Sequence, residues 1–97
     1  MSERPASART VVLIEQALRE QLQPERLEVL DDSAAHAGHT ESGGRGHFRV
    51  RIVSTRFAGL GAVQRHRLVN AVLAPLWDSH LHAVSITALS PDEFTKT

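Results

Sequence analysis

Residues 47–54 read His-Phe-Arg-Val-Arg-Ile-Val-Ser, with an apolar side chain at every second position from Phe48 to Ile52. Such alternation belongs to a strand with one face in a core and the other in water, so the chain must build a sheet covered on one side. The covers are visible on either side of it. Val11, Ile14, Ala17, Leu18 and Leu22 recur at three and four, as do Val63, Leu68, Val69, Val72, Leu73 and Leu76. That spacing predicts a helix over 9–21, ended by Pro24, which disfavours helical geometry at Gln23, and a longer helix over 62–77 with Pro75 near its end.

Partial alternation through Leu27 and Val29 predicts a strand over 26–32, and Val84, Ile86 and Ala88 predict another over 81–89. Ser90-Pro91-Asp92-Glu93 sets a serine cap, a proline at the first helical position and a glutamate three residues past the cap, which is how a short closing helix begins. The order is αββαβα, an α+β fold in which a three-stranded mixed sheet packs against helices. The first two strands form the simplest antiparallel pair. The third follows a helical crossover and lies parallel to one of them.

Ninety-seven residues suffice for one core, so the division is a flexible N-terminus over 1–8 and a single domain over 9–97. Apolar residues at 41% and charged ones at 23% place the chain among ordinary soluble globular proteins. Eleven basic and eleven acidic side chains cancel, which counts against a protein that grips nucleic acid through phosphates. There is no cysteine for a disulfide, which suits a reducing cytoplasm, and no apolar run near the roughly 20 residues of a bilayer span, so no membrane partner is expected.

Residues 33–46 carry four glycines and no periodicity, and loops of that length are usually functional or disordered. His36 and His39 lie in this flexible connection, and His82 opens the last strand. Imidazole is the commonest protein metal ligand, so these three are the candidate ligands. His47, which begins a strand, reads as a local hydrogen-bonding residue, and His80 as a surface residue or auxiliary ligand. Arg65, His66 and Arg67 crowd positive charge at a helix N-terminus, where the dipole disfavours cations. They either bind an acidic partner or stand solvated. No serine, cysteine or paired-carboxylate constellation suggests an enzyme.

Taken together, several segments resemble the BolA-like proteins over roughly residues 10–94. They are His-Phe-Arg-Val at 47–50, Val53-Ser54 and Arg56-Phe57 with Gly59 following, Val63-Gln64-Arg65-His66-Arg67, and Leu81-His82-Ala83-Val84. Asp32-Ser33 and His36-Ala37-Gly38-His39 look like the loop of that family's histidine-bearing branch. The resemblance implies a fold similar to the type II KH domain and a role with monothiol glutaredoxins in carrying [2Fe–2S] clusters. It places His82 at the recurrent C-terminal ligand and His36 or His39 at the variable loop ligand. With no thiolate in the chain, a glutaredoxin cysteine and a glutathione thiol would hold one iron while the histidines hold the other. Arg65, His66 and Arg67 become candidates for partner or glutathione binding. Ligand protonation would release iron, so the cluster should weaken toward acid pH.

Zinc on His36, His39, His82 and water is the alternative metal, without a carboxylate base placed for hydrolysis. Family members are also known as stress-linked morphology factors, and some are proposed to bind DNA. The alternative function is therefore a nucleic-acid-binding transcriptional regulator using Arg49, Arg51, Arg65 and Arg67, although Gly59-Leu60-Gly61 is too short to be the Gly-x-x-Gly loop of ordinary KH domains.

Overall fold

The computed structural model describes residues 6–32, 46–77 and 79–95. The elements run α1 (Ala6–Leu22), β1 (Arg26–Asp31), β2 (Gly46–Val53), a short 3-10 turn (Thr55–Phe57), α2 (Ala62–Trp77), β3 (Leu81–Leu89) and α3 (Pro91–Thr95). This is the expected αββαβα order with a mixed sheet. The strand order is β1-β2-β3, with β1 antiparallel and β3 parallel to the central β2.

Helix α1 starts at Ala6 rather than at residue 9. Ala6, Ser7 and Ala8 lie ahead of the apolar stripe that marks a helix by periodicity, but alanine is the best helix former and extends it. At the other end Gln23 leaves the helix with φ 47° while its N–H still bonds the Arg19 carbonyl at 3.2 Å. Pro24 follows, so the chain cannot continue as helix.

One face of the sheet carries the core. Ile14, Leu18 and Leu22 of α1 and Val69 and Leu73 of α2 close on Phe48, Val50, Ile52 and Leu81, with Phe57 of the 3-10 turn filling the end. Among the described residues no helix covers most of the opposite sheet face. It presents Glu28 and Leu30 of β1, Arg49 and Arg51 of β2, and Ser85 and Thr87 of β3. Two ion pairs cross it, Arg49 with Asp32 at 3.1 Å and Arg51 with Glu28 at 3.6 Å. All four side chains are well exposed, so each pair contributes at most about 1 kcal/mol.

Two buried hydroxyls tie elements together. Ser54 Oγ donates to the Leu22 carbonyl at 2.7 Å and accepts from the Arg56 N–H at 3.1 Å, joining the end of α1 to the exit from β2. Ser90 caps α3 as the sequence predicts: its N–H donates to Glu93 Oε1 at 2.8 Å, and the Glu93 N–H reaches Ser90 Oγ at 3.4 Å.

Candidate metal centre

Strands β2 and β3 run parallel, and their N-terminal ends bring two histidines together. Gly46 pairs with Leu81 and His47 with Ala83, leaving His82 as an extra residue in the ladder. The irregularity decides which way His82 faces. By plain alternation it would share the core face with Val84, Ile86 and Ala88. Instead Leu81 is the inward residue, fully buried, and His82 is exposed. A bulge reverses the phase of the strand at that point. His82 thus lies on the same sheet face as His47, and the two ring centroids are 4.9 Å apart with planes inclined at 54°.

The backbone on both sides is held. The Asp32 N–H donates to the His47 carbonyl at 2.7 Å, and the Gly46 N–H to the His80 carbonyl at 3.0 Å. Asp32 and Gly46 are also the residues from which segment 33–45 departs and returns, so both ends of the glycine-rich stretch are anchored beside the histidine pair. His36 and His39 lie in that stretch, outside the described residues. Among the described residues no group of three His, Cys, Asp or Glu side chains is arranged to hold a metal ion.

His47, read from the sequence as a local structural residue, is therefore the imidazole next to His82. The only sequence signal was that both histidines open their strands. It becomes informative once those strands are known to be parallel neighbours. His80 precedes β3 rather than sharing a strand face with His82, and its Nδ1 lies 2.7 Å from Ser79 Oγ.

Arg65 is engaged within the chain. Its Nε donates to the Leu60 carbonyl at 2.9 Å, and Nη1 to the Ala88 carbonyl at 3.0 Å and to Glu93 Oε1 at 2.6 Å. Nη2 donates to Glu93 Oε2 at 3.1 Å. Its side chain is only 11% exposed. The acidic group that offsets this cation at a helix start is thus Glu93 of α3, and the clasp ties α3 to α2 and to the end of β3. The Arg65 hydrogen bond, helped by the Ser90 N–H, lowers the Glu93 pKa from 4.5 to about 2. His66 and Arg67 remain exposed on α2, next to Val63, which is 63% exposed.

These groups do not converge on His82. Arg65 contacts Ala88, six residues along β3 from His82, which at a strand rise of about 3.3 Å is a separation of about 20 Å. Arg49 and Arg51 lie on the outer sheet face, whereas Arg67 belongs to the helical layer on the other side.

No helix among the described residues is long and apolar enough to cross a membrane. Residues 18–93 match the family described as BolA-like protein. A protein of Vibrio cholerae named DNA-binding transcriptional regulator BolA is 43% identical over 82 residues, covering 84% of this chain and 76% of the relative. Human BolA-like protein 1 is 46% identical over 77 residues, or 79% of this chain and 55% of the human protein. The solved BolA domain of SufE1 from Arabidopsis thaliana superposes with a TM-score of 0.77 at 43% identity, covering 87% of this chain and 94% of that domain.

Proposed function

The chain belongs to the BolA-like protein family, and from that premise we propose a non-enzymatic adaptor that joins a monothiol glutaredoxin and co-ligates a [2Fe–2S] cluster through histidines, for cluster trafficking or iron regulation. The supporting observation is the placement of His82, exposed at the mouth of segment 33–45 with a second imidazole beside it. Imidazole replaces thiolate on one iron of a Rieske centre, so this donor set suits a histidine-ligated iron and leaves the sulfur ligands to a partner.

His82 would hold the iron with His36 or His39. His36 is four residues from Asp32 and His39 seven from Gly46, tethers of about 14 and 25 Å at full extension, long enough to return to His82. When bound, the cluster supplies an iron–sulfur centre that can be passed to an acceptor. The glutaredoxin cysteine and glutathione thiol complete the ligands. Val63, His66 and Arg67 offer a mixed apolar and basic docking patch on α2, about 20 Å away by the same strand arithmetic. The simplest compartment for this thiol-dependent partnership is the reducing cytoplasm.

Mixing the chain with glutathione-loaded holo-glutaredoxin should change the visible circular dichroism of the cluster. An unchanged spectrum and complex with His82→Ala would refute the ligand assignment, and separate His36→Ala and His39→Ala variants identify the loop ligand.

The exposed Arg49 and Arg51, together with the Vibrio relative's name, support a second reading as a DNA-binding regulator. It ranks lower because both arginines are ion-paired and Arg65 is clasped to Glu93. Affinity that falls steeply with salt yet discriminates between duplex sequences would favour it.

A further inference from the structure

The separation of the His47 and His82 rings matches one dimension of a shared metal ion. A zinc–nitrogen bond of about 2.0–2.1 Å sets a coordinated imidazole centroid about 3.2 Å from the ion, so two rings subtending about 100–110° stand about 5 Å apart. The observed separation is 4.9 Å. An inclination of 54° excludes parallel stacking of the two rings.

We infer that His47 and His82 form a two-imidazole clamp for one borderline divalent cation of the Zn2+ type, in the chain alone and with water completing the coordination. The clamp is preorganised. Its ligands stand on adjacent strands of a continuous parallel ladder, and the backbone bonds from Asp32 to His47 and from Gly46 to His80 hold the bulge from both sides. Rigid elements hold a site more precisely than loops do.

No third His, Cys, Asp or Glu joins the pair among the described residues, so those residues fill two positions of a tetrahedral shell. Structural zinc sites use four protein ligands. A two-ligand site of this kind holds an ion in exchange with solvent or with a second metal carrier rather than stapling the fold. It shares His82 with the cluster reading but requires neither glutaredoxin nor glutathione.

The test is calorimetric titration of the full chain with Zn2+ alone, alongside the imidazole nitrogen resonances in NMR spectra. Wild type and the His36→Ala/His39→Ala double variant should bind one ion equally, with the His47 and His82 nitrogens shifting together. His47→Ala and His82→Ala should each raise Kd at least about tenfold, a ligand being worth no less than an outer-shell partner. His47→Gln, which keeps a polar side chain at the half-buried position, should do the same while the far-ultraviolet spectrum stays native. Binding unchanged in either His47 variant, or lost in the loop double variant, overturns the clamp. Neither outcome bears on the glutaredoxin spectrum, which tests the cluster reading by itself.

Discussion

Leu81→Ala probes how the core sets the direction of His82. Leu81 is 0% exposed and is the inward residue at the bulge between β2 and β3. Truncation of a buried leucine costs about 2.7–5.0 kcal/mol, the transfer of the lost atoms plus the cavity left behind. Because Leu81 sits at a strand end, where neighbours can collapse inward, the lower part of that range, about 3 kcal/mol, is expected here. A domain of this size has about 5–15 kcal/mol in all, so the variant should still fold. Urea unfolding followed by Trp77, the only tryptophan and one packed against the core, is the assay. With a slope of about 1.5 kcal/mol/M, the midpoint should fall by about 2 M at unchanged slope. Leu81→Met, close to volume-conserving, should cost less than about 1.5 kcal/mol. Loosening this anchor should also weaken the nuclear Overhauser contact between the His47 and His82 rings in the folded variant. A midpoint shift under about 0.5 M, or a full ring contact in a destabilised Leu81→Ala, would refute the claim that core packing aims the histidine.

Ser54→Ala leaves the Leu22 carbonyl and the Arg56 N–H without their side-chain partner, and should cost about 1–3 kcal/mol, read as a loss of at least about 4 °C in Tm. A shift within error would show that water replaces the hydroxyl. For Glu93, the folded pKa of about 2 lies below the usual 4.5, so its contribution is complete above about pH 5 and is lost as the pH falls toward 2. Glu93→Gln should therefore lower Tm relative to wild type near neutrality, with the gap closing between pH 5 and 2. A pH-independent gap would place the Arg65 interaction outside the stability of α3.

Where a signal is local, the sequence carried it to the residue. Helix α2 spans 62–77 as its apolar spacing predicts, and the Ser90–Glu93 cap forms because both partners lie within one turn. The alternation at 47–54 correctly assigned Phe48, Val50 and Ile52 to the core. Helix α1 was longer than its stripe, since alanine extends a helix without contributing to periodicity. Of the candidate site, resemblance named His82 as a ligand candidate, while its neighbour His47 was set aside, because nothing in either strand's own pattern states which strand lies beside it.

The amino-acid order by itself determined which faces are apolar, where helices stop, and that a chain with six histidines and no cysteine can offer a metal only nitrogen and oxygen ligands, apart from the weak thioether of its one methionine. Tertiary structure alone decided the rest. Parallel pairing of β2 with β3 joined residues 35 positions apart, and a single extra residue in that ladder turned His82 from the core face to the open one. Likewise the cation at Arg65, unfavourable at a helix start, found its carboxylate 28 residues away on α3. Periodicity reports only the side of an element that is buried. Which side chains then meet depends on register and on the loss of alternatives when the core closes, neither of which a local pattern contains.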